Sequence, residues 1–169
     1  MVVAGLLCAP GLSGASDLAD AVKRRDQTAV RELLARSVDV NAPQADGATA
    51  LAWAVHWDDL ELTRRLIGAG ADVNLATELG VTPLMLASTN GGAAVAEALI
   101  AAGADPLVAR ASGDTALMLA ARSGSVALVR VLLEHGAEVN AETDNGQTAL
   151  MWAAAERHLS VTRLLVEHG

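Results

Sequence analysis

Few side chains in this chain of 169 residues are of the types that catalyse reactions or bind metals. It has one cysteine, Cys8, and four histidines, which are His56, His135, His158 and His168. Cysteine and histidine could ligate zinc, or act as nucleophile and base, if the fold brought several of them together. Any such site therefore depends on the elements that carry these residues.

The spacing of the histidines argues against a metal site. His135 and His168 lie 33 residues apart, at the same position of a repeated pattern. Neighbouring helices pack about 10 Å apart, whereas zinc ligands lie about 2 Å from the ion. We interpret both as solvated histidines near helix ends, where a cation suits the helix dipole.

The sequence shows no other recognisable reaction centre. It contains no Gly-rich phosphate-binding loop, no nucleophile-elbow serine and no Cys–His set. We therefore predict a protein that is not an enzyme, with no catalytic residues, no cofactor and no bound metal.

One phrase returns every 33 residues, as DGATALAWA, LGVTPLMLA, SGDTALMLA and NGQTALMWA. Its glycines are Gly47, Gly80, Gly113 and Gly146. A degenerate earlier copy fits the same frame, with Gly14 and Leu18 in the matching positions. Such regular spacing indicates a repeat architecture. We predict a repeat domain over 16–169, with units at about 16–46, 47–79, 80–112, 113–145 and 146–169, the last incomplete.

Each unit has the pattern of two short helices. A threonine precedes each first helix as an N-cap, and in one copy Pro83 follows at the first helical position. The second helix ends at the glycine of GAD or GAE, which favours a left-handed cap. Helices this short are marginally stable alone. They must therefore bury their apolar faces on neighbouring units, as in a solenoid.

The sequence resembles ankyrin repeats over about residues 16–169. The resemblance lies in the 33-residue period, G-x-T-A/P-L, the alanine that follows, the paired leucines and G-A-D-V-N. It implies an all-α solenoid of helix-turn-helix units with short β-turn or hairpin loops, and a role in binding another protein. Two departures concern links between units. The family's histidine after T-P-L is replaced by Ala52, Met85, Met118 and Met151, and Leu107 replaces a turn asparagine.

The tryptophans have different predicted roles. Trp53 and Trp152 take a position that leucine holds in other units, so we predict that they belong to the core. Trp57 stands where other units have Asn90, Ser123 and Glu156, and by resemblance it faces the concave groove with His56. Trp57 either recognises a partner or covers the turn. The predicted partner-binding residues, which vary among units, are Trp57, His56, Glu78, Leu79, Val81, Thr89, Asn90, Asp114, Arg122, Ser123, Asp144, Asn145, Gln147 and Glu156.

The net charge of −8 argues against nucleic acid as the partner. It favours a protein with a neutral or basic surface. Two alternatives remain open: the repeats are the regulatory arm of a larger enzyme, or they form a structural solenoid by end-to-end self-association. The second follows from the uncapped last unit, where we expect Leu164 and Leu165 to be open.

The first fifteen residues carry no charge, and their apolar run is too short to span a bilayer. Ser13, Gly14 and Ala15 are small residues of the kind that a signal peptidase reads. Residues 1–15 are therefore either the remnant of an export signal, which predicts a periplasmic or secreted protein, or an apolar cap on a cytoplasmic one. A single cysteine allows no internal disulfide.

Overall fold

The computed structural model describes residues 17–169, which form ten helices in five pairs. The first helices of the pairs are α1 (Asp17–Lys23), α3 (Ala50–His56), α5 (Pro83–Asn90), α7 (Ala116–Ser123) and α9 (Ala149–Ala155). The second helices are α2 (Gln27–Ala35), α4 (Leu60–Gly68), α6 (Ala93–Ala101), α8 (Val126–Glu134) and α10 (Leu159–His168). This confirms the predicted all-α solenoid. The residues predicted as an export signal or cap, 1–15, lie outside the described part of the chain.

The helices stack in two layers. The first helices pack on one another in order from α1 to α9, and we call them the first layer. The second helices form the second layer, in which α4, α6, α8 and α10 pack in succession, while α2 packs mainly on α1. A continuous apolar core runs between the layers. Its fully buried leucines include Leu51, Leu66, Leu84, Leu99, Leu117 and Leu132.

Side-chain caps fix where the helices begin. The hydroxyls of Thr49, Thr82, Thr115 and Thr148 each accept a hydrogen bond from the backbone N–H three residues later, as the sequence predicts. Asp26, Asp59 and Ser125 cap three second-layer helices in the same way. Side-chain caps thus satisfy the amino ends of seven helices, whereas α6 and α10 begin after Gly92 and His158 without one.

Two methionines fill the positions where the family's histidine would stand. Met85 and Met118 are completely buried, and Ala52 is buried beside the same core. Met151, in the last unit, is 54% exposed. Apolar packing therefore joins the first-layer helices at these positions.

Asparagine side chains join successive units at the turns. The Asn74 amide donates to the carbonyl of Gly103 at 2.9 Å, and its Oδ1 accepts from the Asp105 N–H at 2.9 Å. Asn41 bonds the following unit in the same way. Leu107 cannot form either bond, and its side chain is 55% exposed. The junction between the third and fourth units therefore has no such bridge.

The expectation that Leu164 and Leu165 are open is wrong, because they are 4% and 2% exposed. Both belong to the core, and α10 packs back on α8 and α9. The open apolar surface of this unit has other members. They are Leu150, Met151, Leu159 and Val166, which are 37–79% exposed.

No helix within residues 17–169 is both long and apolar enough to cross a membrane.

Candidate protein-binding surface

Three aromatic rings cluster at the carboxyl end of α3. The ring centroids of Trp53 and Trp57 lie 6.4 Å apart with the planes at 30°, in a stacked arrangement. His56 meets both rings edge-on, at 5.6 Å from Trp53 and 4.8 Å from Trp57. We call these three residues the aromatic cluster. Their closeness follows from helix geometry, because residues three and four apart share one face.

Two cations from the first unit lie over the cluster. The Lys23 ammonium is 4.6 Å from the Trp53 ring centroid, and the Arg25 guanidinium is 4.4 Å from that of Trp57. Arg25 occupies the turn after α1 with a φ of 58°. Each cation is attracted by the electron-rich face of an indole. The first two units are therefore joined here by cation–π contacts.

Trp53 and Trp57 differ in exposure. Trp53 packs against the core but remains half-buried, and its indole N–H donates to the Gln44 Oε1 at 2.7 Å. Trp53 thus packs against the core, as predicted, and also forms a hydrogen bond at the surface. Trp57 is 38% exposed and caps the end of α3. It covers the turn and also presents part of its ring to solvent, so both of the functions predicted for it are compatible with its position.

The last two units repeat part of this arrangement. The Arg122 guanidinium lies 5.1 Å from the ring centroid of Trp152, whose N–H donates to Gln147 at 3.3 Å. Lys23 and Trp53 are thirty residues apart, as are Arg122 and Trp152. Sequence reasoning missed these pairs. The recurring thirty-residue offset between a cation and a tryptophan was the signal that could have found them.

The predicted partner-binding residues fall on two strips of surface. The first strip, at the ends of the first-layer helices, contains His56, Trp57, Thr89, Asn90, Arg122, Ser123 and Glu156, all exposed. The second strip, at the turns between units, contains Glu78, Leu79, Val81, Asp114, Asp144, Asn145 and Gln147, of which Val81 and Asp114 are half-buried. Asp114 is paired with Arg110 at 3.4 Å. Apart from Val81 and Asp114, the predicted partner-binding residues are exposed to solvent and accessible to a partner.

One residue of the first strip also holds neighbouring units together. The Asn90 amide donates to the carbonyls of Val55 and His56, at 3.2 and 3.0 Å. It thereby binds the end of α5 to the end of α3. A substitution of Asn90 would disturb this junction as well as the surface.

The histidines outside the cluster contact backbone carbonyl oxygens. The Nδ1 atoms of His135 and His168 each lie 2.8 Å from the carbonyl oxygen four residues earlier. His158 contacts the carbonyl of Arg122 at 3.0 Å. Across the described residues, no three His, Cys, Asp or Glu side chains are placed to hold a metal ion together.

Comparison with known families agrees with the stacked helix pairs. A family model described as "Ankyrin repeats (3 copies)" matches residues 18–110 and 105–169. The chain belongs to the ankyrin repeat family. None of the curated proteins gives a significant match. Ankyrin repeats are generally protein–protein interaction modules and are generally not catalytic.

Proposed function

We propose that this ankyrin repeat domain is a non-catalytic module that binds another protein through its two strips, with Trp57 at the centre of the contact. The observation that carries the proposal is the exposed, stacked ring of Trp57 at a position where other units have Asn90, Ser123 and Glu156. The repeat pattern does not require an indole there, because the units with small or polar residues fold alike.

The surroundings of Trp57 suit it to recognition. Tryptophan is among the residues most enriched in binding hot spots. The stacked rings and the Arg25 guanidinium restrict its rotamers before any partner arrives. A side chain ordered in advance loses less conformational entropy on binding. Trp57 can therefore contribute more to affinity than a mobile surface side chain of equal area.

The charge distribution favours a partner with a neutral or basic surface. Residues 17–68 hold seven of the twelve cations and nine of the twenty acids, so most of the net charge of −8 lies after Gly68. Three acids of the second strip, Glu78, Asp114 and Asp144, lie in that acidic part. Complementary charge mainly accelerates association and excludes acidic competitors. We expect binding through this part of the surface to weaken as salt rises.

Capture from an extract of the source organism tests the proposal. The bait is the full chain, and the matched variants are Trp57→Ala and Arg130→Ala, the second being an exposed residue of α8 outside both strips. We expect the wild type and Arg130→Ala to retain the same protein, and Trp57→Ala to lose it while keeping its helical circular dichroism. Equal retention by all three baits would contradict the proposal.

A second proposal concerns the open apolar surface of the last unit. Leu150, Met151, Leu159 and Val166 are exposed, whereas the earlier counterparts of Leu150 are buried under the next unit. A second copy could cover them in an end-to-end contact. Light scattering over a dilution series tests this, because self-association makes the apparent mass rise with concentration. A constant monomeric mass would rule it out.

A further inference from the structure

The second layer opens between α2 and α4. Each later pair of second-layer helices packs together, whereas α2 and α4 are separated by a groove with a cavity volume of about 540 Å³. Pockets that bind small molecules or anchor side chains have volumes of this order. Trp57 of the first strip also lines this groove, whereas the other lining residues lie outside both strips.

The sequence of α2 differs from that of the later second-layer helices beside the groove. Gln27 stands in the position that Leu60 and Val126 hold in later units, so a polar side chain replaces an apolar one on the side of α2 that borders the groove. On the other side of the groove, Leu62 of α4 is half-buried, whereas its counterpart Leu128 is completely buried. Together with Val30, Leu62 gives the groove an apolar floor.

Three arginines and two acids line the groove, which gives its side chains a small excess of positive charge. Of its two acids, Glu61 pairs with Arg65 at 3.4 Å, and the Asp59 carboxylate accepts the Leu62 N–H at 2.9 Å. Arg25 and Arg31 line the same groove and have no carboxylate partner among residues 17–169. Arg25 is held in place by its contact with Trp57. A planar guanidinium stacked on a ring keeps its N–H edge free to bind a carboxylate in bidentate fashion.

We infer that this groove binds a segment of a partner protein in which apolar side chains are flanked by acidic residues. The apolar side chain covers Leu62 and Val30, and the carboxylates bind Arg25 and Arg31. This chemistry is opposite to that expected for the strips, where acids favour a neutral or basic surface. The groove therefore adjoins the first strip at Trp57 and is a second docking site, for an acidic segment of a partner protein.

Four labelled octapeptides test the inference by fluorescence anisotropy with the full chain. The first has two central leucines between three glutamates on each side. The second has lysines in place of the glutamates, the third has serines in place of the leucines, and the fourth has both changes. We expect the first peptide to bind at least about tenfold more tightly than each of the others. It alone combines leucines for the apolar floor with carboxylates for Arg25 and Arg31. Equal binding of the glutamate and lysine peptides, or no binding of the first, would overturn the inference.

A matched pair of charge reversals locates the binding. Arg31 and Arg130 hold the same position in the second helices of the first and fourth units, and both are exposed. Arg31→Glu should weaken the glutamate–leucine peptide about tenfold, whereas Arg130→Glu should change it less than about twofold. Equal weakening would show a long-range charge effect and refute a site in the groove. Both variants leave the two strips intact, so their results are independent of partner capture through Trp57.

Discussion

At the scale of single residues, two tryptophans four positions apart on α3 have different roles. Trp53 lies against the core and donates to Gln44, while Trp57 is more exposed and is held by His56 and Arg25. The repeat frame predicts this difference, since Trp53 replaces a leucine and Trp57 replaces polar residues. The stability of the fold should therefore depend mainly on Trp53, and partner binding mainly on Trp57.

Substituting each tryptophan by alanine measures the difference. We expect Trp53→Ala to lower the free energy of unfolding by about 3 kcal/mol, because it leaves a cavity and removes the partner of Gln44. Trp57→Ala should cost less than about 1 kcal/mol, since its ring is partly solvated. Urea unfolding followed by circular dichroism gives both values. Similar losses for the two variants would show that Trp57 is chiefly structural.

At the same scale, Leu107 marks a missing link between units. In Leu107→Asn, the new amide should donate to the carbonyl of Gly136 and accept from the N–H of Glu138, as Asn74 does one unit earlier. We expect an increase of about 1–2 kcal/mol in the free energy of unfolding, from two added hydrogen bonds. Thermal unfolding measures the change. An unaltered or lower midpoint would show that the turn is already optimally packed.

At the scale of the elements, the phrase repeated every 33 residues was enough to predict the helix pairs, the threonine caps and the glycine stops. It could not predict the opening between α2 and α4, because that depends on how far one helix approaches another. It also misplaced the open apolar surface of the last unit. Leu165 matches the buried Leu66, Leu99 and Leu132, so the repeat alone should have assigned it to the core. Leu164 has no such guide, because Val131, Ala98 and Arg65 stand at its position in earlier units.

Two glycines at the same repeat position should differ in how well they tolerate substitution by alanine. Gly80 and Gly113 both have a positive φ, of 71° and 83°. A Cβ on Gly113 would lie 2.7 Å from the backbone of Thr143 in the following turn, whereas one on Gly80 would meet no atom within 4 Å. Gly80→Ala should therefore cost about 1–2 kcal/mol from backbone strain alone. Gly113→Ala should cost at least about 1 kcal/mol more, because the neighbouring turn must move.

Chemical denaturation of this pair of alanine variants checks the difference. The two substitutions replace glycines at the same repeat position in equivalent turns, so each variant serves as the control for the other. Equal costs would show that the turns of successive units do not press on each other at this point.

At the scale of the whole molecule, a stack of similar units provides a rigid frame for residues that differ. The core leucines, caps and turn glycines recur, while the aromatic cluster and the turn acids vary from unit to unit. Each unit contacts its immediate neighbours, so substitutions at exposed positions leave the rest of the stack unchanged. This arrangement separates folding from recognition and underlies the proposed binding function.

The central claim is that the partner contacts the strip that contains Trp57. A benzophenone side chain introduced at position 89, which is exposed in the first strip and leaves Trp57 in place, tests this most directly. It is irradiated in an extract of the source organism and compared with the same group at Ala127, an exposed residue of α8. The account predicts one major crosslinked protein from position 89, the same protein that the unmodified chain captures, and little or no product from position 127. Equal labelling from both positions, or crosslinking from position 127 alone, would contradict it.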